Sequence, residues 1–248
     1  MRYLLIACEV LAREAYLCAA HSPHIVDIQL LEKGLHDTPE ILRQELQTRI
    51  DGADERYDAV LLGYGLCSNS TAELVARKVP LVLPRAHDCI TLYLGSRARY
   101  EAEFFAHSGT YYYTADYVER SDGASSVALG AVSDEQRRKT YEEYVEKFGQ
   151  DNADYLMEVM GAWARNYSRA AFIEMGVGPS DGAERRARQE AEREGWTFEK
   201  LMGDLILIRK LVDGEWDEDF LVVEPGERIV VTYESRIVET SPHLLADG

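Results

Sequence analysis

Val79-Pro80-Leu81-Val82-Leu83-Pro84-Arg85-Ala86-His87-Asp88-Cys89 is the stretch on which the reading of this chain turns. Its first five residues are an apolar run of the right length for a buried strand. The residues after it carry a cation, an imidazole, a carboxylate and a thiol between Arg85 and Cys89. Two further cysteines stand in the same relation to an apolar run. Cys8 ends the run Tyr3-Leu4-Leu5-Ile6-Ala7, and Cys67 follows Ala59-Val60-Leu61-Leu62-Gly63-Tyr64-Gly65-Leu66. Read as parallel strands of one sheet, the three runs finish at one edge. That edge is where open α/β sheets hold their ligands. The sequence therefore predicts that Cys8, Cys67 and Cys89 converge.

Working outward, strands alternate with helices. Residues 9–20 read as a helix carrying Cys18, a thiol expected to pack as a small hydrophobe. Residues 25–31 alternate as a second strand. Thr38-Pro39 opens a helix to Ile50, with Thr38 as N-cap, Pro39 in the first turn and Leu42, Leu46 and Ile50 on one face. Cys67-Ser68-Asn69-Ser70-Thr71 is a polar turn leading into a short helix at 72–77. Such a turn either caps the helix or binds an anion through free N–H groups, so Ser68 and Asn69 are candidate cofactor-binding residues. Residues 90–105 read as a helix broken at Gly95-Ser96, and the aromatic Gly109–Thr114 as either a strand or a segment lining the site.

Asp122-Gly123-Ala124-Ser125-Ser126 reads as a linker. Helices are expected at 133–148 and 152–166, a strand at 170–175 and a charged, solvated helix at 183–194. A short strand at 196–198, a helix at 205–212 and strands at 219–223 and 228–232 follow. The expected fold is α/β, with a mainly parallel, Rossmann-like sheet flanked by helices. The second half repeats the alternation of the first, which predicts two similar lobes: 1–120, carrying the cysteine site, and 133–235 packed on it, with a loose tail at 236–248.

A net charge of −17 argues against nucleic acid and against an anionic membrane surface as partners. No apolar run reaches the ~20 residues that span a bilayer, and no signal peptide is visible at the start. A cytoplasmic location is expected, where four cysteines are thiols or metal ligands before they are disulfides.

The spacings of the three strand-end cysteines, 59 and 22 residues, match no compact zinc or ferredoxin motif. Their chemistry stays open at the level of residues. Three thiolates with His87 would make a four-ligand zinc site. Three thiolates with His87 free, as an acid or base, would suit a [4Fe–4S] cluster with one open iron. Cys89, beside His87 and Arg85 at a helix start, would suit a metal-free nucleophile. Three buried small residues that happen to be cysteine would do none of these. Asp88 either orients an imidazole or caps the next helix. Arg85, Arg97 and Arg99 are candidate contacts for a substrate carboxylate or phosphate.

Leu5-Ile6-Ala7-Cys8-Glu9-Val10, Gly63-Tyr64-Gly65-Leu66-Cys67-Ser68-Asn69, Pro84-Arg85-Ala86-His87-Asp88-Cys89-Ile90, Leu94-Gly95-Ser96 and Gly109-Thr110-Tyr111-Tyr112 occur in this order, followed by Gly214–Leu221. Together they resemble the uncharacterised family known as domain of unknown function 1638. The family occurs in anaerobic bacteria and archaea, often encoded beside corrinoid-dependent methyltransferases. Its turn after the second cysteine usually reads Gly-Asn-Gly, where this chain has Ser68-Asn69-Ser70. The resemblance implies a small-molecule role in anaerobic one-carbon or corrinoid metabolism, with a corrinoid protein or methyltransferase as partner. A non-catalytic accessory of such a system is the alternative from another class.

Overall fold

The computed structural model describes residues 1–120, 141, 142, 145, 149, 150, 167–232 and 236–243. The sequence readings at 122–126 and 152–166, and most of that at 133–148, lie outside these residues. The chain divides into two compact units, Met1–Glu101 with Gly203–Gly248, and Ala102–Met202.

The first unit opens with β1 (Arg2–Cys8), a 3-10 turn at Glu9–Leu11, α1 (Ala12–His21) and β2 (Ile25–Leu31). A second 3-10 turn, Lys33–Asp37, leads to α2 (Pro39–Asp51). Then come β3 (Ala59–Gly63), β4 (Leu81–Pro84), α3 (Cys89–Leu94) and α4 (Arg97–Ala106), the last reaching the second unit. The five-stranded sheet has the order β2-β1-β3-β4-β8. Its first four strands are parallel, with Leu5 opposite Leu61 and Leu61 opposite Val82. Parallel strands covered on both faces must be apolar throughout, and β3 and β4 are buried at every residue. The expected parallel α/β sheet is therefore present. On α2 the Leu42, Leu46 and Ile50 stripe is buried as its spacing requires. Thr38 stands at the cap position, although its side chain makes no capping bond.

The second unit holds β5 (Thr110–Tyr113), α5 (Ala115–Glu119), β6 (Arg169–Glu174), α6 (Asp181–Glu194) and β7 (Thr197–Met202). Its three strands are parallel in the order β5-β6-β7. Helix α6 is charged outside, but Ala183, Ala187 and Ala191 form a buried stripe against Tyr113, Val118, Ala170 and Phe172. Small residues at every fourth position give the helix a close seat on the sheet. Arg169 is buried at 5% exposure and is satisfied by Glu103 at 2.9 Å and Glu199 at 2.7 Å.

The chain returns to the first unit with α7 (Ile206–Asp213), β8 (Phe220–Val223), β9 (Glu227–Val231) and β10 (Val238–Pro242). Three features differ from the sequence reading. Strand β8, expected in a second lobe, pairs antiparallel with β4, Val82 opposite Val222. Residues 238–242, expected as loose tail, pair antiparallel with β9. Residues 72–77 form no helix: a turn at 72 and 73 runs into an isolated antiparallel bridge between Val75 and Arg228. The reason is a competing partner: Glu73 N donates to Ile229 O at 2.8 Å, and Ile229 N donates to Leu74 O at 2.9 Å. Gln47 completes the edge, donating from Nε2 to Val75 O at 3.1 Å and accepting from Val75 N at 2.9 Å.

Candidate thiol site

Strands β1, β3 and β4 are adjacent and parallel, so their carboxyl ends share one edge of the sheet. Cys8 is the last residue of β1, Cys67 lies just beyond β3, and Cys89 opens α3 beyond β4. All three are buried, with exposures of 1%, 7% and 9%. The pairing of β3 with β4 continues past both strands: Leu66 N donates to Ala86 O at 2.7 Å and Cys67 N donates to His87 O at 2.9 Å. Two glycines permit this approach. A Cβ on Gly65 would stand 2.7 Å from Asp88 N and 2.8 Å from Asp88 Cα, and one on Gly63 would stand 2.7 Å from Ala7 Cβ. Neither glycine has a positive φ. Both therefore serve close approach of the backbone.

The turn after β3 is built to aim Cys67 inward. Cys67, Ser68 and Asn69 have φ values of 45°, 55° and 66°. Successive non-glycine residues in the left-handed region cost roughly 1–2 kcal/mol each, and asparagine is the one type here that visits it readily. The surroundings hold the turn in place. Ser70 Oγ donates to Cys67 O at 2.6 Å, Thr71 Oγ1 donates to Gly65 O at 3.2 Å, and Arg43 Nη2 donates to Asn69 O at 2.7 Å. Ser68 and Asn69 themselves are exposed, and no helix follows them. The anion site expected at a helix start therefore has no helix to provide it.

Burial pushes the Cys67 thiol well up, and the charges of Asp88 and Cys8 push it further. The Gly65 and Cys89 backbone N–H groups act in the opposite sense on that sulfur. Cys89 is raised by burial, then by Cys67, Asp88 and Cys8. The Tyr64 hydroxyl is raised by burial, then by Cys8, Cys67, Cys89 and Glu9. The same three sulfurs thus recur in one another's electrostatic surroundings. The sign for Cys89 is opposite to the thiolate activation expected of a nucleophile beside His87 and Arg85. Asp88 is raised by burial. It caps α3, accepting from Ile90 N at 3.0 Å and Thr91 N at 3.4 Å, while Tyr100 Oη donates to its other oxygen at 3.0 Å.

The other expected site residues have different employments. His87 is exposed, its ring 6.2 Å from that of Tyr100. Arg85 donates from Nε to Phe220 O at 3.1 Å and from Nη1 to the carbonyls of Arg236 and Val238. It ties β8 and β10 to the loop after β4. Arg97 pairs with Asp219 at 3.3 Å, and Arg99 donates to Leu94 O at 3.3 Å. Cys18 is a packed thiol on α1, raised to about 11 by burial. The imidazole beside the thiols is His36, which the motif reading passed over. Its Nδ1 lies 4.0 Å from Cys8 Sγ, and its ring stacks on Tyr64 with centroids 5.8 Å apart. The strand-end argument extends to it, because His36 follows β2, the next parallel strand.

Among the described residues, no three His, Cys, Asp or Glu side chains stand as a ready-made metal-holding group. The donor chemistry nonetheless suits a thiophilic ion. Three buried thiols lie at the ends of adjacent strands, two amides act on one sulfur, and the Tyr64 hydroxyl is buried without a hydrogen-bond partner among the described residues. No helix among the described residues is long and apolar enough to cross a membrane.

No curated protein and no solved structure matches the chain. A family profile described as "Protein of unknown function (DUF1638)" matches residues 30–212. That span is more than half of the chain and includes His36, Tyr64, Cys67 and Cys89, with Cys8 upstream of it. The chain belongs to the DUF1638 family.

Proposed function

We propose that Cys8, Cys67 and Cys89 hold a metal, either zinc or a [4Fe–4S] cluster, with one exchangeable position that serves a small-molecule reaction. The observation that carries this reading is the burial of three thiols at the carboxyl ends of three adjacent parallel strands, within one another's field. Neutral thiols raised in this way lose their protons together to a cation, because the cation offsets the burial and the mutual repulsion that raise them. Bound there, the metal would supply a Lewis-acidic position for activating a thiol, methyl donor or related small molecule. The chain's own contribution is orientation: the left-handed turn at Cys67 aims that sulfur inward, the Gly65 and Cys89 amides favour its thiolate, and the apolar sheet edge excludes water.

The setting proposed for this chemistry is the cytoplasm of an anaerobe, in one-carbon or corrinoid metabolism, with a corrinoid protein or methyltransferase as partner. It rests on the family resemblance alone. The site itself is tested by metal content in single alanine variants. Cys8→Ala, Cys67→Ala and Cys89→Ala should each lose most of the bound metal, while Cys18→Ala, on α1, keeps the wild-type ratio. Equal metal content in all four variants would refute the assignment.

A further inference from the structure

Tyr64 is a buried polar group that the thiol ligands do not explain. It follows β3 directly and is 1% exposed. Its Oη has no hydrogen-bond partner among the described residues. Its surroundings contain all three candidate ligand sulfurs and Glu9. Its ring is fixed on one side by His36, stacked at 5.8 Å with an interplanar angle of 25°, and the His36 imidazole in turn lies 4.0 Å from Cys8 Sγ. A fixed phenol with an unmet O–H inside an apolar sheet edge is costly to keep unless an acceptor arrives. Thiols are weak acceptors, so the neighbouring sulfurs do not remove the need.

We propose that the Tyr64 hydroxyl donates a hydrogen bond to a small anion seated at the exchangeable position of the metal held by Cys8, Cys67 and Cys89. The substrate class that follows is a small molecule carrying an oxygen or nitrogen acceptor beside its metal-binding atom, such as a carboxylate. This rests on the metal-thiolate reading. It adds that one donor of the site comes from the end of β3, the strand that leads to Cys67, and that His36 sets the tilt of the phenol.

The test uses the full chain loaded with cobalt(II), with azide as the probe anion followed by the visible absorption of the metal. Tyr64→Phe should bind cobalt(II) in the wild-type ratio but azide about tenfold or more weakly, the value of one hydrogen bond to a charged group. The metal-free Tyr64→Phe protein should melt at or above the wild-type temperature, because an unmet hydroxyl has been removed. Unchanged azide affinity overturns the inference. So does a melting temperature lowered by several degrees in the metal-free variant, which would make the hydroxyl structural. Wild-type protein that takes cobalt(II) without responding to azide overturns the inference and leaves the metal reading standing. Wild-type protein that takes no cobalt(II) overturns the inference and the zinc form of the metal reading.

Discussion

Glu174 illustrates how this chain handles a partly buried charge away from the thiols. Burial raises its carboxyl, but the Ser180 hydroxyl, the Gly176 N–H at 2.9 Å and the Lys200 ammonium at 3.2 Å outweigh that, and the net shift is downward from about 4.5. A carboxyl depressed on folding adds stability above its unfolded value and loses it as the pH falls through the folded one. Glu174→Gln should therefore be less stable than wild type by about 1–3 kcal/mol at neutral pH. The gap should shrink as the pH drops below the ordinary carboxylate range. Urea midpoints at several pH values measure this; a gap that stays constant into acid would contradict it. At Cys67 and Cys89 the balance runs the other way. No cation among the leading influences on either thiol offsets the burial, so both stay raised until one arrives.

At the scale of elements, the site is made by two loops that run side by side beyond β3 and β4. Gly65 is the tightest point between them, since a Cβ there would meet the Asp88 backbone at under 3 Å. Gly65→Ala should cost about 1–3 kcal/mol as overpacking. It should also part Cys67 from Cys89 and lower the metal ratio, whereas Gly34→Ala, where nothing lies within 4 Å of the added Cβ, should change neither. Chemical denaturation with metal analysis reads both effects, and a Gly65→Ala protein with wild-type stability and metal content would contradict the account.

Much of this was legible in the sequence. The strand-end position of each cysteine follows from an apolar run and its stop, and β2 has the bounds read from the sequence, Ile25–Leu31, although its burial does not alternate. What was not legible depends on distant partners. Arg85 reads as an anion contact until the carbonyls of Phe220, Arg236 and Val238 come to it from far along the chain. Residues 72–77 have a helix-compatible composition and are captured by β9 instead. His36 lies in none of the quoted stretches, and Tyr64, although inside Gly63-Tyr64-Gly65-Leu66-Cys67, carries no role there. They are found only when the strand order is known, because both lie past the carboxyl ends of strands flanking or preceding the cysteines.

At the scale of the whole molecule, the chain carries a net charge of −17 and yet encloses three thiols whose ionisation the surrounding protein disfavours. An acidic chain of this kind disfavours polyphosphate partners. The sheet order β2-β1-β3-β4-β8 places the site at the carboxyl edge, the usual location in open parallel sheets. The measurement that tests the central claim most directly is the metal and acid-labile sulfide content of the full chain purified without oxygen, together with its absorption spectrum. The account predicts one metal centre per chain: either zinc with no visible absorption, or about four irons with matching sulfide and a brown colour, as a [4Fe–4S] cluster requires. Protein that remains free of metal and sulfide after anaerobic reconstitution with iron, sulfide and zinc would contradict it.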